Sequence, residues 1–173
     1  MNLPGTYPVQ VKKNKYQIYL NMIFKSKKHD TNLYNTLLLL SRNIFFYTKI
    51  KLNDVFETRV YLMFIHFSIL MIISKKKGKK FEQSLYDDLF FNIENNLREL
   101  GFGDVTVNKK MKDLNKILYD ILLKIDVKKD ENESFKINKD LVSKYFASLK
   151  EEKSAKYIEF ERYFTNFFHF CLN

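Results

Sequence analysis

The sequence predicts an all-α fold, a single compact domain of about six to seven helices around a central apolar helix at about 54–73. Three observations predict it. Only 4 Gly and 2 Pro occur in 173 residues, and both prolines, Pro4 and Pro8, stand near the start. From Val9 onward nothing forbids helix, and the turn residues that β-meanders need are scarce. Hydrophobic content is 46%, which is too apolar for a disordered chain even with 29% charged residues.

Residues 1–14 read as an irregular lead-in. Lys15–Phe24 sets Tyr16, Tyr19, Leu20, Ile23 and Phe24 at helical spacing, the stripe of a short amphipathic helix. Residues 1–29 thus form a basic lead-in, and 30–173 form the helical domain. Asp30, Thr31 and Asn32 offer an N-cap for a second helix running to about Tyr47, with Tyr34, Leu37, Leu38 and Phe45 toward the core. A third helix starts at Asp54, where Glu57 three residues on suits a capping box. Its middle, Val60 to Ile65, is apolar all round, which places it at the centre. The run Val60–Ile73 is shorter than the roughly 20 residues of a bilayer span, so it reads as a buried helix of a soluble core.

A lysine-rich loop, 75–80, then leads to a fourth helix over about Phe81–Leu100, ended by Gly101. Asp104 or Thr106 caps a fifth helix to about Ile125, and the polar stretch 126–134 is an exposed loop. Two more helices follow, about Lys139–Leu149 and Ser154–Cys171, the last rich in phenylalanine.

The formal charge of +10 is unevenly placed. Lys12, Lys13, Lys15, Lys25, Lys27 and Lys28 stand in a segment without acids, and Lys75, Lys76, Lys77, Lys79 and Lys80 make a second cluster. These two segments are the candidates for facing an anionic membrane or RNA. With 26 Lys against 4 Arg, a retained Arg points to a need for a planar guanidinium fork, which singles out Arg42, Arg59, Arg98 and Arg162. The lone Cys171 cannot form an internal disulfide, so a reducing compartment is expected.

Candidate chemistry is thin. His29, His66 and His169 lie far apart, so no metal site is expected. Cys171 and His169 are two residues apart on a helix and point to different faces. Gly101-Phe102-Gly103 follows a helix and reads as a helix stop, not a phosphate cradle. His66 shares a face with Arg59, two turns earlier; a core histidine bonded to another helix is the plainer reading, and a polar pocket of both is the alternative. Arg98 follows Glu94 by four residues, an ordinary helical ion pair. Asp54 and Asp104 read most simply as caps, and Asp104 is also the first partner expected for Arg59.

Taken together, several positions resemble the ubiquinol–cytochrome c chaperone family, assembly factors for cytochrome b of respiratory complex III. The resemblance runs from about Tyr34 to Tyr119. It rests on Leu33-Tyr34, Ser41-Arg42, Phe46-Tyr47, and Asp54 with Arg59 and His66 beyond it. Its most specific stretch is Leu97-Arg98-Glu99-Leu100-Gly101-Phe102-Gly103-Asp104, followed by Val107, Lys109-Lys110 and Met111. Departures are Asn53-Asp54-Val55 where the family usually has Pro-Asp-Thr, Thr58-Arg59 where it has Gly-Arg, and Asp120-Ile121 where a Gly-Arg pair is common. The first of these removes a threonine hydroxyl ahead of the third helix.

The resemblance implies a non-catalytic chaperone domain without a cofactor, whose client is newly made cytochrome b. It implies client-binding or motif roles for Tyr34, Arg42, Tyr47, Asp54, Arg59, His66, Arg98, Glu99, Gly101, Gly103, Asp104 and Lys110. They are expected to shape a groove beside Phe46, Tyr47 and Phe102. The short chain without an evident presequence looks like the bacterial branch, cytoplasmic and peripheral to the inner membrane. A ribosome contact and a small partner protein are further partners that the resemblance suggests; DNA is not expected. The competing reading is a basic, all-helical RNA- or ribosome-associated protein, against which stands the absence of a recognition-helix pattern. An enzyme would need a polar constellation that the sequence does not supply.

Overall fold

The computed structural model describes residues 32–127, 135–151 and 154–173. The short helix expected over Lys15–Phe24, the lysines at 12–28 and most of the polar stretch 126–134 lie outside them.

Helix α1, Asn32–Ser41, does not run on to Tyr47 as expected. Ser41 turns its hydroxyl back to donate to the Leu38 carbonyl at 2.8 Å, and Asn43 accepts from the Phe45 amide at 3.1 Å. Together they close one helix and cap the next, α2, Ile44–Thr48. An Asn inside an apolar run is thus a helix boundary. The chain then passes through Lys51, whose left-handed φ of 64° turns buried Leu52 back under the domain.

Helix α3, Phe56–Lys76, is the centre. It starts later than expected, and Asp54 is not its cap. Val55 holds that position with extended backbone and no side-chain bond. The helix also continues into the lysine cluster: Lys75 and Lys76 form its last turn and Lys77 its C-cap. Gly78, at φ 65°, ends it, with its amide on Lys75 and the Lys79 amide on Ser74. By length and composition α3 is apolar enough to cross a bilayer, yet 61% of its most apolar window is buried inside the domain.

Helix α4, Gln83–Glu99, stops at Gly101 as the sequence predicts. With φ 87°, Gly101 lets its own amide reach the Arg98 carbonyl and the Phe102 amide reach that of Leu97. Helix α5, Asp104–Leu123, has Gly103 as its N-cap, so Asp104 is its first residue rather than its cap. The stretch expected as a loop begins as a strand. β1, Ile125–Val127, pairs antiparallel with β2, Phe135–Ile137, in the register Ile125 with Ile137. Asn138 caps α6, Lys139–Tyr145, which gives way to a 3₁₀ turn over Ala147–Leu149. Ser154 caps α7, Ala155–Leu172, accepting from the Tyr157 amide at 3.2 Å.

Helix α3 packs against α1, α5 and α7, while α4 covers α1 and α5. The aromatics of α7 mostly fill the core. Tyr157, Phe160, Phe164, Phe167 and Phe168 are buried, and Phe46 joins them between Phe160 and Phe164. Burying each such ring contributes about 1.5–3 kcal/mol. Phe46 therefore belongs to the core and not to a groove, a correction that follows from its complete burial.

Candidate functional site: a cleft between three helices

Three helical stripes meet around an open cleft of about 360 Å³. Tyr34 and Leu38 of α1 lie four residues apart on one face, and Arg42 continues that face just past the helix end. Phe56, Arg59, Val60 and Met63 form the stripe from the N-terminal half of α3. Ile93, Asn96, Glu99 and Leu100 supply the wall from the end of α4. The floor is apolar, and the polar groups sit on it in a definite order.

The Asn96 amide donates to the Tyr34 hydroxyl, tying α4 to α1 across the cleft. Burial pushes the Tyr34 phenol above its ordinary value. Beside it, the Arg59 Nε donates to Asp54 Oδ1 at 2.6 Å, and this bond holds the Asp54 carboxyl below the usual range. Arg59 therefore does not reach Asp104, its first expected partner; Asp54, in the turn before α3, is the nearer carboxylate. Tyr47 stands by the same guanidinium and donates to the Ser41 carbonyl at 2.6 Å. Its phenol is raised, first by burial and then by the Asp54 charge.

Asp104 belongs to Arg98 instead. The Arg98 guanidinium donates to Glu94 at 2.7 Å, the helical pair read from the sequence, and to Asp104 across the turn. With Gly101 and Gly103 these pairs lie at the turn that joins α4 to α5. Lys110 lies 3.7 Å from Glu57 and 4.8 Å above the Phe102 ring, joining α5 to the first turn of α3.

Of the positions singled out by sequence, Tyr34, Arg42, Arg59 and Glu99 line the cleft, and Tyr47 and Asp54 brace Arg59. Arg98, Gly101, Gly103 and Asp104 build the neighbouring turn. His66 lies elsewhere. It is wholly buried, with Nδ1 2.6 Å from the Leu62 carbonyl and Nε2 3.0 Å from the Tyr163 hydroxyl. A carbonyl only accepts, so Nδ1 carries the proton and Nε2 accepts from Tyr163. The proposed polar pocket of Arg59 and His66 does not form, because α3 turns His66 toward α7. Of the two readings, the core histidine is the one observed.

The sequence reading missed Asn96, although a polar residue three after Ile93 on an apolar stripe was a visible signal. It also missed Asp120, whose carboxylate accepts from Lys144 at 2.8 Å and Tyr145 at 2.6 Å and pairs with Lys124 at 2.9 Å. These bonds hold its carboxyl far below the usual range and tie α5 to α6. Cys171 is buried, and burial pushes its thiol up to about 12, which removes the nucleophilic thiolate. Among the described residues, no three His, Cys, Asp or Glu side chains come together as a metal would require.

The described residues thus form an almost wholly helical domain with an open, apolar-floored cleft and charged groups on its walls. The family model for the ubiquinol-cytochrome C chaperone matches residues 48–159, more than half of the chain, and the chain belongs to that family. The match includes the α3 and α4 walls of the cleft. It begins just after Tyr47 and continues well past Tyr119, so the likeness reaches further into the C-terminal half than the motif resemblance did. No curated protein and no solved structure matches the chain.

Proposed function

We propose that this protein is a non-catalytic assembly chaperone that holds newly made cytochrome b during biogenesis of complex III. The cleft between α1, α3 and α4 is the client-binding site in this reading. The supporting observation is the coincidence of the family match with two of the cleft's three walls. Around the mouth, Val55, Leu100, Phe102 and Val105 expose apolar side chains at the same end of the bundle. Scattered apolar residues need no explanation, but a group of them beside a cleft suits a hydrophobic client. We further propose that the chain works in the cytoplasm at the inner-membrane face, with its lysine clusters toward an anionic surface.

The test deletes the gene in its host and measures assembled complex III and haem-loaded cytochrome b. The expected result is loss of both, restored by the wild type. Leu100→Asp, at an exposed position on the cleft wall, should fold normally yet fail to restore either and fail to co-purify cytochrome b. Normal haem-loaded cytochrome b in the deletion strain would defeat the proposal.

A further inference from the structure

The charges on the cleft walls are not used up by folding. Arg59, Arg98 and Arg162 each hold a carboxylate. Arg42 forms no ion pair among the described residues, and neither does Glu99, yet both line the cleft. Glu99 is also badly placed for its own helix. It is the last residue of α4, where the carbonyl end of the helix dipole disfavours a carboxylate.

The two walls differ in sign. On the α1–α3 side, the guanidinium groups of Arg42 and Arg59 both act on the carboxylate of Asp54, and the Glu57 carboxylate is paired with Lys110 of α5, which leaves that side positive. On the α4 side, Arg98 is held by Glu94 and Asp104 outside the cleft lining, while Glu99 lines the cleft with no ion pair among the described residues, which leaves that side negative. Apolar side chains lie between them.

We infer that the cleft selects a polypeptide segment of mixed charge, with a carboxylate toward Arg42, a cationic side chain toward Glu99 and apolar residues between. This rests on the reading of the cleft as the client site. Complementary charge gives selectivity here more than raw affinity, because both groups remain in contact with water.

The experiment measures binding of short synthetic peptides to the full chain by fluorescence anisotropy at low salt. All share an apolar middle, and they carry one acidic and one basic residue, two acidic, two basic, or neutral Asn and Gln instead. The wild type should favour the mixed peptide over the neutral one by about fivefold, the range open to partly exposed charge pairs. Arg42→Glu should shift the preference to the doubly basic peptide and Glu99→Lys to the doubly acidic one. Circular dichroism checks that both variants fold. Equal binding of mixed and neutral peptides, or preferences that do not move in the folded variants, would overturn the inference.

Co-purification of cytochrome b separates this from the client reading. If peptide preferences follow the charges while the wild type retains no cytochrome b, charge selection stands and the identity of the client fails. If wild type and both variants retain cytochrome b equally, the client stands and charge selection fails.

Discussion

His66 is a basic group held neutral in the middle of an aromatic cluster. The rings of Phe164 and Phe167 lie 4.9 Å from it, and Phe46 and Tyr163 complete the surround. Burial pushes its pKa from 6.5 down to about 4. A depressed folded-state value means that stability is fully present above about 6.5 and is lost as pH falls toward about 4. The loss is on the order of 3 kcal/mol for a shift of this size. We predict that urea midpoints fall more steeply for the wild type than for His66→Gln between about pH 7 and about pH 4.5. Parallel pH profiles for the two proteins would show that the buried imidazole is not the cause. At this scale the sequence was informative about residue type and poor about pairing. It paired Arg98 with Glu94 correctly, but it gave Arg59 the carboxylate of Asp104 and read Asp54 as a cap, where Arg59 holds Asp54 and Arg98 holds Asp104 as well. Which carboxylate a guanidinium reaches depends on the path of the turn before α3 and of the turn after α4, and neither path is fixed by spacing along the chain.

Among the elements, the start of α3 is a helix end without a side-chain cap. Val55 holds the N-cap position with φ −121° and ψ 162°, a backbone suited to a capping hydroxyl but without one. Nearly half of the Val55 surface is exposed, so little apolar burial would be lost on replacing it. We predict that Val55→Thr raises stability by about 1 kcal/mol by satisfying a free amide of the first turn. A thermal midpoint unchanged or lowered by the substitution would count against this reading of the turn. The central run Val60–Ile73 and the Gly101 stop were legible, because each is set by local chemistry. The break at Asn43 was not, since its capping role becomes visible only once Ser41 has ended α1. Nor was the hairpin: Ile125–Val127 and Phe135–Ile137 are three-residue strands, too short for alternation to declare itself, and their pairing is a tertiary contact.

For the whole molecule, charge separates the ends of the bundle. Val55, Leu100, Phe102 and the cleft occupy the end where α3 begins, and Lys75 to Lys80 occupy the end where it finishes. There Lys77 donates to the Cys171 carbonyl at 3.2 Å and helps close α7, while Lys79 and Lys80 are exposed. Each lysine near an anionic bilayer contributes about 1 kcal/mol, screened by salt. We predict that the full chain floats with anionic vesicles at low salt, and that replacing the lysines of 12–28 and 75–80 with Gln abolishes this. Flotation unchanged in the variant would remove the membrane contact. A salt-sensitive shift of ribosomal RNA by the wild type, with no vesicle binding, would move the basic segments to RNA instead. The distribution of charge was legible in the sequence, but the cleft was not. It needs α1, α3 and α4 side by side, and Asn96 counts as part of a site only when Tyr34 stands opposite.

The rigid length of α3 also sets a reach. From Val60 on the cleft wall to Lys77 at the far end, the helix rises about 25 Å. A surface that held the lysine end would therefore stand about that far from the cleft. A client anchored in that surface needs about seven or eight extended residues to bridge the gap. The cleft would then gather tails and long loops of its client and leave the membrane-embedded parts, and the shortest connections, beyond its grasp.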